Sequence, residues 1–329
     1  MKIKVGVVGY DLIGKRVADA VALQADMSLQ GVFDQHQRRQ QVAAMKGYAI
    51  FDGALKKLAS VCDVLVNCTD SPVQSASTVI HGPHVWQDAP LCFSAFSQAA
   101  AVLNQPLIKV ASANSVAFAR LLCALRDLGP IDRFYSTACL RAGHATDSRG
   151  GRVDALEPVF DEHEEDWEMK KLFGGQIPSF SVGRVLVPYT HSNLHMVKLD
   201  LASPINKDRL LGALNRSPRI AVARAADGFA NTARVQEFYR DMGRTFFDRL
   251  QVFIWEESII VDGRRLYVML DVSPEAIAIP EIIDAIRTSR KRGISMTDSV
   301  NQTDAALGIQ PCWPARDEHC VFEDVAVEE

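Results

Sequence analysis

The feature that most constrains this chain is its start. Residues 3–9, IKVGVVG, form an almost unbroken β-branched run, followed by a turn and the stretch GKRVADAVALQ. That stretch places Val17, Ala20 and Val21 on one helical face. MSLQGVFD then reads as a second strand ending at Asp34, a helix is expected at 36–46, and LKKLASVCDVLVNCTD as a helix feeding a strand at 62–68. Continuously apolar strands alternating with helices over short connections predict a parallel, doubly wound sheet. Further strands are expected at 85–87 and 107–113.

The second half changes character. Longer alternating strands are expected at 133–142, 183–189, 194–201 and 249–273, the last bent by a two-residue hairpin turn at Asp262-Gly263. Helices at 206–215 and 279–291 interleave with them, which predicts an α+β domain with a mixed or antiparallel sheet covered by helices on one face. The expected plan is a Rossmann unit over 1–112 completed by a helix at 299–310, a second domain over 113–298, and a tail over 311–329. The charged stretch 143–181 reads as a long insertion loop with a helical part, a length that usually signals function or an interface.

Bulk properties narrow the class. A formal charge of -4, mixed in sign, gives no nucleic-acid surface, and no run of about 18 apolar residues suggests a membrane span. No signal peptide is read at the N-terminus. Seven cysteines without a CxxC pair, four of them in apolar segments (Cys62, Cys68, Cys123 and Cys139), point to a reducing cytoplasm.

The turn after the first strand carries the first chemical signal. Gly9-Tyr10-Asp11-Leu12-Ile13-Gly14 has the placement of a dinucleotide-binding turn, but its pattern is GxDxxG. Gly9 suits the tight turn and Gly14 the close helix–strand contact; Asp11 replaces the glycine that lets the backbone approach a pyrophosphate. It adds bulk and negative charge at a helix N-terminus. The alternatives are a dinucleotide site completed by Thr69 and a Rossmann-shaped unit that no longer binds one. Asp34, 20 residues beyond Gly14, is either an acceptor for the ribose hydroxyls, favouring NAD over NADP, or a strand-ending aspartate.

The stretches GYDLIGKRVADAV, SPRIAVARAADG, VFIWEESIIVDGRRLYVMLDV and IPEIIDAIR resemble archaeal-type glyceraldehyde-3-phosphate dehydrogenase, in the same order from about residue 3 to 310. The resemblance implies the two-domain plan, an NAD(P)-dependent oxidoreductase, and a homodimer or homotetramer formed through the second sheet. It also implies a nucleophilic cysteine in a Ser-Cys-Asn-Thr stretch, where this chain has Ser112-Ala113-Asn114-Ser115. Phosphorylating aldehyde oxidation needs a thiolate to form a thiohemiacetal and then a thioester, and alanine does neither. Losing such a nucleophile costs on the order of a million-fold in the subtilisin example.

Other implied site segments differ as well. Ser192-Asn193-Leu194-His195 stands where the family has paired histidines, Ser273-Pro274-Glu275 where it has His-Gln-Glu, and Asp34 where a basic residue can select the 2′-phosphate. The segment 161–167, DEHEEDW, stands where a His-His-Gly turn would hold substrate phosphate, and its five carboxylates predict a hostile field for a phosphorylated substrate. The implied catalytic set that persists is His195, Asn193, Asn114, Arg120 and Arg141 around Ala113. Cys68 and Cys139 read as core thiols or as replacement nucleophiles. His144, His191, His195 and Asp147 could form a general-acid pair or a metal site, although residues 191 and 195 lie about 13 Å apart on a strand. Two functions follow: an oxidoreductase of this superfamily not competent for phosphorylating aldehyde oxidation, or an inactive paralogue acting as a regulatory or binding partner. Its ligand would be a small molecule or a nucleotide.

Overall fold

A computed structural model describes residues 2–53, 55–75, 77–83, 91–97, 102–141, 156–160, 164–187 and 192–310. The expected strand at 85–87, the residues His144, Asp147 and His191, and the tail lie outside them.

The first sheet is built from β1 (Ile3–Val8), β2 (Met27–Phe33), β3 (Val64–Asn67), β4 (Thr78–His81), β5 (Cys92–Phe93) and β6 (Leu107–Val110), in the order β2-β1-β3-β4-β6-β5. All its pairings are parallel, as the continuous apolar runs predict. Between them run α1 (Leu12–Ala22), α2 (Gln37–Met45) and α3 (Leu55–Val61).

Helix α4 (Ala113–Leu125) leads into the second sheet. It is buried on nearly every face, which is why its sequence is apolar all round rather than striped. The second sheet contains β7 (Ile131–Arg141), β8 (Glu157–Val159), β9 (Ser179–Val187), β10 (Asn193–Leu201), β11 (Ile220–Ala223), β12 (Val252–Trp255), β13 (Ile260–Asp262) and β14 (Arg265–Val272). Its order is β11-β12-β14-β10-β7-β9-β8, with β13 beside β14; β7–β9 and β11–β12 are parallel and the other pairs antiparallel, so the sheet is mixed.

Four local expectations need correction. The hairpin loop is Gly263-Arg264, with Asp262 paired to Arg265, one residue later than expected; Gly263 supplies the φ of +58°. The stretch 143–181 contains the expected helical part, α5 (Glu164–Phe173), but also contributes β8 and the start of β9 to the second sheet. Helix α8 (Ile279–Arg290) lies against α1, β4, β6 and α9 (Met296–Leu307), on the first sheet, rather than among the later strands. Two helices, α6 (Lys207–Arg216) and α7 (Thr232–Asp241), complete the second half, and α7 has no counterpart in the sequence reading. A single apolar core runs from β1 and α1 through α4 and α8 into β7, β10 and β14.

Candidate functional site

Strand register brings the candidate residues together. His195 on β10 pairs with Ala138 on β7, and Ala138 with Arg184 on β9, so the three form one row on one sheet face. Ser136 and Asn193, each two residues along its strand from that row, share the face. The N-terminal turn of α4 carries Ala113 and Asn114, and Asn114 bonds to side chains of this row.

The hydrogen bonds orient one another. Asn114 donates from Nδ2 to Glu165 Oε1 at 2.7 Å, which fixes the amide and turns Oδ1 toward the sheet. That oxygen accepts from Asn193 Nδ2 at 3.1 Å and from His195 Nε2 at 3.0 Å. Nε2 therefore carries the proton, and Nδ1 accepts from the Ser136 hydroxyl at 3.3 Å. Asn193 Oδ1 accepts the backbone N–H of Arg141 at 3.2 Å. Glu165 is paired with Arg184. His195, Asn193 and Asn114 are thus held together by a directed network that ends on an ion pair.

His195 is wholly buried, and desolvation, aided by the nearby Arg184, pushes its pKa down to about 3. The imidazole is neutral in the fold, and the Asp147 proposed as its carboxylate partner lies outside the described residues. The sign of the linkage follows: below the ordinary histidine pKa of 6.5 the unfolded chain takes a proton that the fold refuses. Stability is therefore lost as pH falls from 6.5 toward 3. We predict that urea midpoints measured from about pH 7 to about pH 5 fall less steeply in His195→Gln than in the parent. Parallel slopes would show that the ring is protonated in the fold.

Ala113 is 9% exposed, and its helix start is fixed by buried charge. Ser112 donates its N–H to Glu168 at 2.9 Å and its hydroxyl to Glu168 Oε2 at 2.6 Å. Lys109, at the end of β6 and 1% exposed, pairs with Glu168 and, at 2.8 Å, with Glu164. Burial, followed by the charge of Glu168, pushes the Glu164 carboxyl up to about 7. Of the five carboxylates at 161–167, Glu164 is paired to Lys109 and Glu165 to Arg184, while residues 161–163 lie outside the described residues.

Arg141 does reach this edge of the sheet, where it meets Glu275 at 2.6 Å. Glu275 also takes Arg16 at 3.1 Å, and Arg16 takes Asp248 at 2.8 Å. Arg120 is not brought to the group. Its guanidinium is buried between Glu281 Oε1 at 3.1 Å and the carbonyls of Leu250 at 2.7 Å and Ile277 at 2.8 Å, so it holds elements together instead of facing a ligand. Burial pushes the Cys68 thiol up to about 12, which disfavours a thiolate there, and Cys139 lies on β7.

At the first sheet, Gly9 adopts φ +86° and a Cβ on Gly14 would lie 1.7 Å from the Gly9 carbonyl oxygen, so both glycines serve the roles expected of them. A Cβ on Gly9 would also meet Thr69 at 2.5 Å, which places Thr69 behind the turn. Tyr10 is buried with its ring edge-on to Tyr48, and Ile13 is buried in the core, while Leu12 accepts Arg16 through its carbonyl at 2.7 Å. Asp34 ends the second strand as expected. Its carboxylate accepts the N–H of Tyr10 at 2.6 Å and of His36 at 2.8 Å, and its side chain is 3% exposed. It braces the turn through these bonds. Asp11 pairs with Arg39, at the start of α2, and makes no capping hydrogen bond to α1.

Sequence reasoning missed Lys109, Ser136, Glu168, Arg184, Arg16 and Asp248, and named Glu165 and Glu275 only within longer segments. Only the acidic run containing Glu165 offered a signal, and its meaning depended on two cations distant in the chain.

No family model matches the chain. It is similar along nearly its whole length to archaeal glyceraldehyde-3-phosphate dehydrogenases. Identity is 28% to that of Methanocaldococcus jannaschii, covering 94% of this chain and 100% of the relative. It is 28% to that of Hyperthermus butylicus (94% and 98% covered) and 29% to that of Thermococcus kodakarensis (94% and 99%). Among solved structures, aspartate semialdehyde dehydrogenase II of Vibrio cholerae in complex with ASA superposes with a TM-score of 0.65 at 13% identity, covering 94% of this chain and 98% of that one. A second structure of that protein gives 0.64 at 14% identity. The fold is shared with these proteins.

Proposed function

We propose that this chain is a diverged oxidoreductase scaffold of the glyceraldehyde-3-phosphate dehydrogenase-like superfamily, not competent for phosphorylating aldehyde oxidation, that acts as a binding or regulatory protein. Ala113 carries this reading. It stands at the start of α4, beside Asn114 and His195, at the position where the resemblance implies a nucleophilic thiol. A methyl group forms no thiohemiacetal and holds no acyl group. The surrounding groups support a binding role over turnover: His195 is neutral and buried, and Arg184 and Arg141 are each paired with a carboxylate of the chain.

A second reading is retained on one observation, the preserved geometry of Gly9 and Gly14. It is an NAD(P)-dependent oxidoreductase that moves hydride directly to or from a ketone or imine and needs no nucleophile. Assaying the phosphorylating reaction with the parent and with Ala113→Cys tests the first reading. Neither protein should reduce NAD or NADP measurably, and robust turnover by the parent would overturn it. A homo-oligomer is part of the proposal, supported by apolar side chains that the second sheet exposes among the described residues, with Met196 and Met269 about 40% exposed. A reducing cytoplasm is supported by the free thiols of Cys62, Cys68, Cys92, Cys123 and Cys139.

A further inference from the structure

The residues at the end of β1 do not fit a dinucleotide. A Rossmann turn holds a pyrophosphate because a helix N-terminus presents unpaired N–H groups and a partial positive charge, and because a glycine lets the phosphate approach the backbone. Here Asp11 is the residue just before α1, and its side chain caps none of those N–H groups. Its carboxylate points to Arg39 on α2, which also lies 3.8 Å from Asp34. Asp34 accepts backbone N–H groups on both oxygens. The bare backbone that lets a pyrophosphate approach the turn is thus missing at Asp11.

We propose that the Asp11 side chain, its carboxylate paired with Arg39, closes the phosphate subsite of the first sheet, the chain's own carboxylate standing where a dinucleotide would bring its pyrophosphate. The tight turn beneath is intact, because Gly9 keeps its left-handed φ and Gly14 its close approach. The closure therefore lies in one side chain, and removing that side chain opens the site. The inference extends the binding-protein reading but rests on different residues from Ala113.

Direct binding is the test, because it does not depend on turnover. NAD and NADP are titrated by calorimetry into the parent, Asp11→Asn, Asp11→Gly and Arg39→Ala, each checked for an unchanged circular dichroism spectrum and melting temperature. The parent and Arg39→Ala, which keep the carboxylate, should show no saturable binding up to about 1 mM. Asp11→Gly should bind at least one dinucleotide at least about tenfold more tightly, with Asp11→Asn in between because it loses the charge but keeps the bulk. Saturable binding by the parent below about 1 mM would overturn the proposal. So would a folded Asp11→Gly that gains nothing, or an Arg39→Ala that gains as much as Asp11→Gly. Dinucleotide binding by a parent that still oxidises no aldehyde would remove this inference and leave the reading of Ala113 standing.

Discussion

Arg219→Ala is expected to cost the fold about 3–5 kcal/mol, because it strands buried carboxylates. Arg219 is fully buried just before β11, where it reaches Asp304 at 2.7 Å, Asp284 at 2.7 Å and Glu281 at 3.4 Å. Glu281 is shared with Arg120 and also accepts the Ala95 N–H at 2.7 Å. The cluster therefore ties the end of the first sheet, α8 and α9 to α4 and β11. Removing one cation leaves charges in a medium that cannot hydrate them, and the loss should appear as a lower guanidinium midpoint. A loss below about 1 kcal/mol would mean that water reaches these carboxylates in the fold.

Lys109→Met should be similarly costly, about 3–5 kcal/mol, for the same physical reason but with a different pH signature. Lys109 is the shared cation of Glu164 and Glu168, and burial already raises the Glu164 carboxyl to about 7. An acid whose folded pKa is raised contributes more stability at low pH and loses it as pH climbs from its unfolded value of 4.5 toward 7. Without Lys109 that rise is larger, so the deficit of the variant should shrink on acidification as Glu164 takes up a proton. A deficit independent of pH between those limits would place the cost in lost packing. Because Glu168 also holds the Ser112 N–H, the variant should loosen the start of α4 as well as the global fold.

Local rules carried much of the architecture. The β-branched run before Gly9, the 3.6-residue spacing of Val17, Ala20 and Val21, and the Asp262-Gly263 signal each reflect chemistry contained within a few neighbours. They correctly imply a parallel sheet followed by a mixed one. What stayed hidden was set by partners far along the chain. Nothing near residue 165 announces Arg184, and nothing near 275 announces both Arg16 and Arg141. Asp34 shows the same limit: nothing in a carboxylate ending the second strand announces that it accepts the N–H groups of Tyr10 and His36. Arg120 persists as a residue but sits in the core ion cluster, away from Ala113. Helix α8 follows the later strands in sequence, yet its apolar faces are buried against β4, β6 and α1.

These partnerships also explain why restoring a thiol should not restore chemistry. A cysteine at position 113 would stand at a helix N-terminus, which favours the thiolate. The neighbouring imidazole is neutral and wholly buried, and Arg141 and Arg184 are already paired to Glu275 and Glu165, so a substrate phosphate would have to break an ion pair to be held. The most direct measurement is a single-turnover experiment on Ala113→Cys with glyceraldehyde 3-phosphate and NAD or NADP, followed by mass spectrometry of the intact protein. The account predicts no burst of reduced nicotinamide and no acyl adduct on Cys at 113. A stoichiometric burst with an acyl-thioester mass would contradict it, showing that one methyl group was the whole lesion.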